Sequence, residues 1–198
     1  YRESIYVGYR YYDTAHVPVL FPFGHGLSYT TFEYRDLRAQ AQKDSAKIIF
    51  KIKNAGNRTG KEAAQVYVRD VESSHFRPVK ELKGFVKVHL NPNEEKEVTI
   101  ELDRRDFSFY DVGKKEWVLE AGDFEIMVGA SSQDIRLTTT LWLDSDQQAS
   151  VCTDKAALAS YFSVTPAPIS RDAFAALYGK SLPENVTPQK GSYTLNTP

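Results

Sequence analysis

In the run AKIIFKIKN, Ile48, Phe50 and Ile52 fall on one side of an extended chain and Lys47, Lys51 and Lys53 on the other. Only Ile49 departs from this period of two, the signature of a strand with one face buried and one in water. AGNRTG follows with the residue types of a turn. AAQVYVRDV then puts Ala64, Val66 and Val68 on one face and Gln65, Tyr67 and Arg69 on the other. KGFVKVHL is closed by NPNE, and EVTIELD comes after it. EWVLE, DFEIMVGA and DIRLTTTLWL are separated by AGD and SSQ. Helical periodicity is absent from residues 32 to about 143. Short strands punctuated by turns predict a mainly β domain, a two-sheet immunoglobulin-like or fibronectin-like sandwich. Its expected core is Ile48, Phe50, Ile52, Val66, Val68, Phe85, Val98, Ile100, Phe124, Ile126 and Val128.

The flanks differ in character. Residues 1–31 are rich in aromatics, with YVGYRYYD and FPFGHGLSYT, and Pro22, Gly24 and Gly26 give the second run loop chemistry. So many Tyr and Phe side chains need a surface to pack on, and a seam to a neighbouring domain is expected there. Residues 144–198 open with the polar linker DSDQQAS. Asp154 is expected to cap a short helix through KAALASYF, and Ser170 a second through RDAFAALYG that Gly179 ends. Neither helix is long enough to stand alone, so both should dock elsewhere. The closing SLPENVTPQKGSYTLNTP reads as an extended tail on a neighbouring surface. The chain starts at YRESI without an initiating Met, which predicts a piece of a longer protein.

Several functional classes find no support. Lys and Arg number 25 against 26 Asp and Glu, a net charge of −1 that excludes the broad basic field of a nucleic-acid binder. No apolar run is long enough to span a bilayer. Cys152 is the single cysteine, so neither a disulfide framework nor a multi-cysteine zinc site is available. His16, His25, His75 and His89 are scattered without metal-ligand spacing. His25, between two glycines, is expected to bond across a tight loop. No GxSxG elbow and no phosphate-cradling loop occur. Asp70, Glu81, Asp106 and Asp111 lie beside aromatic or apolar neighbours, but spacing selects no pair that could flank a sugar. A solvated or ion-paired structural role is expected of each.

YRESIYVGYRYYD followed by FPFGHGLSYTTFEY resembles the passage of glycoside hydrolase family 3 that ends its α/β sandwich domain and leads into a fibronectin type III-like domain. The blocks KIKNAGNRTGKEAAQVYVRD, PVKELKGFVKVHLNPNEEKEVTIELDRRDFSFYD and WVLEAGDFEIMVGASSQDI continue the resemblance in order, over roughly residues 1–143. It implies three parts: residues 1–31 ending the α/β domain, residues 32–143 forming the sandwich, and residues 144–198 as a short helical C-terminal extension. It also implies a retaining β-glycosidase, most often a β-glucosidase. There the aspartate nucleophile comes from a TIM-like barrel and, in many members, the glutamate acid/base from the α/β sandwich. Neither motif occurs in this chain. No catalytic, cofactor-binding or metal-binding residue is therefore assigned, and no cofactor is expected.

The expected role is a non-catalytic brace whose partners are the barrel and α/β domains of the same enzyme, with the β-glucoside substrate met through them. Assembly with a second copy stays open. Two other readings are an independent carbohydrate-binding module, using Trp117, Trp142 or the Tyr9, Tyr11 and Tyr12 group as platforms, and a protein-interaction module without sugar contact.

Overall fold

A computed structural model describes residues 1–43, 45–152 and 154–182. Strands β1 (Phe32–Ala41), β2 (Ser45–Asn54), β3 (Gly60–Asp70), β4 (Glu81–Leu90) and β5 (Glu95–Asp103) run through the first half of the β region. The short helix α2 (Arg104–Phe107) and the hairpin β6 (Phe109–Asp111) and β7 (Glu116–Val118) come next, before β8 (Gly122–Gly129) and β9 (Ile135–Leu143). One sheet has the order β1-β2-β5, the other β4-β3-β8-β9, and every pairing is antiparallel. Outside this sandwich lie α1 (Tyr9–Thr14), α3 (Ala159–Phe162) and α4 (Arg171–Tyr178).

The core forms where the apolar phases of the two sheets meet. Ile48, Phe50, Ile52, Val66, Phe124, Ile126 and Val128 are fully excluded from water, and Val68, Val98 and Ile100 nearly so. Gly84 sits where β4 packs closely against β5 of the other sheet. A Cβ there would stand 2.7 Å from Ile100 Cγ2, so the absence of a side chain is what admits the neighbouring strand. Phe85 corrects the expected core, because it is 71% exposed. Val86, Val88 and Leu90 hold the inward phase of β4, which turns Phe85 outward with Lys87 and His89.

Four elements, α1, β1, α2 and β6, have no counterpart in the sequence pattern, and two of them show why. β1 carries a bulge between Arg35 and Arg38, with Asp36 at φ 59°, and the extra residue destroys the period that marks a strand. Its charges instead join a ladder on the outer face of the β1-β2-β5 sheet, where Arg35 pairs with Glu95 at 2.6 Å, Lys51 with Asp36 at 2.9 Å and Arg38 with Glu97 at 3.1 Å. α2 is a single turn made by a reciprocal cap. The Asp103 side chain accepts from the Arg105 and Asp106 N–H groups, and Asp106 accepts from the Asp103 N–H.

The second face of β3 is also withdrawn from water. Gln65 Nε2 donates to the carbonyls of Ala130 at 2.7 Å and Gly24 at 3.2 Å, and the buried Tyr67 hydroxyl donates to Gln65 Oε1 at 2.6 Å. The cover comes from residues 1–31. Tyr9 meets Tyr67 edge-on at 6.1 Å and stacks on Phe23 at 4.4 Å, and its hydroxyl accepts the Leu82 N–H at 2.8 Å. The Ser132 N–H donates to the Phe23 carbonyl.

A second, smaller core joins the two ends of the chain. Tyr6, Tyr161, Ile169 and Ala173 are buried together, with Phe76 packed against them. The Tyr6 hydroxyl donates to the Tyr161 carbonyl at 2.6 Å, and the Tyr161 hydroxyl to the Arg2 carbonyl at 2.8 Å. The terminal segments therefore dock on each other and on the β3–β4 loop. Ser170 caps α4 through the Ala173 N–H, and Gly179 ends it at φ 69°. The helix expected through KAALASYF is shorter: Asp154 accepts from the Ala157 N–H, but only Ala159–Phe162 are helical. The tail beyond residue 182 lies outside the described residues.

Phe50→Ala should destabilise the chain by about 3–5 kcal/mol in urea unfolding. Phe85→Ser should stay within ~0.5 kcal/mol, as expected of an exposed site. A small effect at Phe50, or a large one at Phe85, would overturn this assignment of faces.

Candidate functional site

A dense cluster of charge gathers at the β3–β4 loop, where Arg77 precedes Pro78. Arg77 donates to Asp70 Oδ2 at 2.9 Å and to the Phe107 carbonyl at 3.1 Å. Its side chain is 9% exposed and that of Asp70 5%. Glu81 has one oxygen 3.1 Å from Arg10 and the other 3.4 Å from Lys83 and 3.6 Å from Arg77. Burial raises the titration of Asp70 even against the pull of Arg77, and burial lowers that of Lys83 even beside Glu81. The network fixes α1, the loop and β4 to one another. It forms one side of a cavity of about 770 Å3 whose apolar side includes Phe109 and Trp117.

Acid–base or nucleophilic work requires a carboxylate oxygen free to reach substrate. Asp70 and Glu81 are held by the cations just described. Asp106 belongs to the α2 cap, and burial raises its titration. Asp111 is buried and pins the linker after β9: Oδ2 accepts the Ser150 N–H at 2.6 Å, and Oδ1 accepts the Ser150 hydroxyl at 2.7 Å and the Lys114 N–H at 3.1 Å. Burial opposes its charge, but these donors prevail and hold it at about 2. All four expected carboxylates thus have structural partners, and the geometry brings only Asp70 and Glu81 together, through Arg77. Arg10, Arg77 and Lys83 were not singled out in the sequence, where each reads as one charge among many.

His25 makes no ring bond across its loop; its ring stacks on Phe21 at 5.4 Å, and its N–H closes the turn onto the Pro22 carbonyl. His75 lies against Ser74 Oγ and Phe109. Among the described residues no group of three metal-ligating side chains converges. No described helix is long and apolar enough to cross a membrane. Tyr9 is committed to the β3 cover, and Tyr11 packs on the small core. Trp117 has the Arg105 guanidinium 4.3 Å over its ring, whereas Trp142 is 60% exposed.

Two measurements test this site. Arg77→Met should cost about 3–5 kcal/mol at pH 7, the penalty for stranding a buried charge. Burial already raises Asp70 and loss of Arg77 raises it further, so protonation relieves the stranded charge, and the cost relative to wild type should shrink as pH falls. A cost independent of pH would remove Asp70 from the account. Asp111 is depressed, so its contribution is complete above the ordinary pKa of ~3.9 and is lost as pH falls towards about 2. Cleavage within 145–152 by an acid-active protease should rise over that interval in wild type, and Asp111→Asn should remove the pH dependence.

Known proteins match this geometry. The fibronectin type III-like domain family matches residues 62–132. The thermostable β-glucosidase B of Acetivibrio thermocellus is 52% identical over 149 residues, 73% of this chain and 20% of its own length. An exo-α-(1→6)-L-arabinopyranosidase of Bifidobacterium breve is 41% identical over 155 residues, 78% of this chain and 20% of its own. The solved GH3 β-glucosidase of Bifidobacterium adolescentis superposes with a TM-score of 0.72 at 33% identity, over 89% of this chain and 25% of that one. The chain thus spans a fifth to a quarter of the length of these relatives. It carries a fibronectin type III-like domain and corresponds to the C-terminal region of glycoside hydrolase family 3 β-glucosidases.

Proposed function

We propose that the chain is a non-catalytic brace within a retaining β-glycosidase, a β-glucosidase in the first instance. Its partners would be the TIM-like barrel and α/β sandwich of the same enzyme, which would bind the β-glucoside and supply the catalytic carboxylates. The observation that carries this reading is the two-sided use of residues 1–31. One side is bonded to the sandwich through Tyr9, Gly24 and Phe23. The other leaves Leu20, Phe21, Leu27 and Tyr29 largely exposed, more apolar surface than a short loop leaves in water. Residues 1–31 would then be the end of the α/β domain, residues 32–143 the sandwich and residues 144–198 the extension that clamps the junction. Active-site groups must be held within roughly 0.5 Å of productive geometry, so a brace remote from the chemistry still governs rate.

A match to a relative named for an arabinopyranoside, beside one named for a β-glucoside, supports a role shared across sugars. The chain alone should not hydrolyse an aryl β-glucoside above background. Turnover that survives repurification and is abolished by Asp70→Asn or Glu81→Gln would overturn the reading. In the complete enzyme, Leu27→Asp with Tyr29→Asp should lower kcat and the thermal midpoint together, while the isolated chain keeps its fold.

A further inference from the structure

The two sheets treat charge on their outer faces differently. On the β1-β2-β5 face, Arg35, Arg38, Lys47 and Lys51 each have an acid partner within 3.3 Å. On the other sheet, Lys61 and Ala63 of β3 lie beside His89 and Lys87 of β4 in the strand register. Lys61 and Lys87 are exposed, and among the described residues neither has an ion pair or a hydrogen bond. The acids around them are engaged elsewhere: Glu94 is held by Lys96 at 3.1 Å, Asp134 by Arg136 at 2.9 Å, and Glu62 accepts the Tyr34 hydroxyl at 2.8 Å. Phe85, 71% exposed, stands on the same face of β4 two residues before Lys87.

Beside this face runs a groove of about 490 Å3, with Lys61, Ala63 and Lys87 on one side and residues 24–28 on the other. Its lining carries three cations against two carboxylates. Arg136 stands 2.9 Å from Asp134 and 4.0 Å from Glu62, so these three engage one another and the two lysines are left uncompensated. Like charges on one sheet face are destabilising, and an exposed ring among them is apolar surface that a partner would cover. The complement is a surface that presents carboxylates around an apolar side chain. The way the groove is built selects the occupant. One wall belongs to the stretch proposed to end the α/β domain, and Leu27 there, 94% exposed, is common to the groove and to the apolar seam. A domain tethered at that wall meets the groove at a high effective concentration, which an independent protein does not.

We propose that an acidic segment of the α/β domain of the same enzyme lies along this groove, with carboxylates on Lys61 and Lys87 and an apolar side chain on Phe85. This contact rests on the bracing role and adds charge complementarity to the apolar seam.

The test treats the complete enzyme, mixed with an isotope-labelled preparation of itself, with a carbodiimide that joins a lysine to a carboxylate in contact with it. Mass spectrometry reads the links, and Lys51 with Asp36, 2.9 Å apart, is the internal control. Links from Lys61 and Lys87 to Asp or Glu of the α/β domain, within one copy, are expected. Links only to the barrel or to the other isotope, or none while the control pair links, would overturn the contact. Lys61→Glu with Lys87→Glu should lower the thermal midpoint of the complete enzyme by ~2–4 °C at low ionic strength, and by less in about 0.5 M salt. The same pair of substitutions should leave the midpoint of the 198-residue chain within ~1 °C. An unchanged midpoint in the enzyme, or an equal loss in the chain alone, counts against the contact. Leu27→Asp with Tyr29→Asp is measured in parallel. A loss there without one at the lysines leaves the brace standing and removes this contact, whereas links and a loss at the lysines alone keep the contact and remove the apolar seam.

Discussion

Everything in this molecule hangs on β3 being buried on both faces. An antiparallel sheet ordinarily turns one face to water, and its residues alternate accordingly. Here Ala64, Val66 and Val68 enter the sandwich core while Gln65 and Tyr67, between them, are equally withdrawn from solvent. A buried amide and phenol are tolerable only when their polar atoms are satisfied. The Gln65 side chain meets this by bonding to Gly24, Ala130 and Tyr67. The strand therefore requires two covers, the opposing sheet and residues 1–31. The aromatic segment is accordingly part of what makes the sandwich stable.

The sandwich was legible because most of its strands keep a strict period of two, and the helix caps were legible because Ser170 and Gly179 carry local chemistry. What the sequence hid follows physical lines. β1 was obscured by its bulge, and Phe85 falls on the opposite phase from Val86, Val88 and Leu90, which the short apolar run GFV does not resolve. The partner of the terminal segments could not be read at all. Arg2 and Tyr6 meet Tyr161 and Ile169 more than 150 positions away, and no local pattern encodes such a contact. The charged network under the loop was hidden for the same reason: Arg10, Asp70, Arg77 and Glu81 become a unit only when α1 lies on β4. Of the aromatics considered as sugar platforms, the fold withdrew Tyr9, stacked Arg105 on Trp117 and left Trp142 open.

Asp70 and Asp111 show how a fold turns acid groups to structural use. Asp70 is surrounded by low-dielectric packing and Asp111 by donors, so their titrations move in opposite directions. In both cases the oxygens are spent on holding one segment to another. Catalytic machinery would need the opposite arrangement, with oxygens held in reserve.

The bulge in β1 has a consequence for how the protein behaves in a crowd. β1 is the outermost strand of its sheet, with a row of backbone groups that another molecule's strand would otherwise extend. At Asp36 the backbone turns to positive φ, and the ladder of Arg35, Arg38 and Lys51 with their acidic partners lies over the same stretch. An incoming strand would find the register broken and a layer of fixed charge in its path. This edge is thereby protected from strand addition, and the protection is written into one extra residue of the sequence.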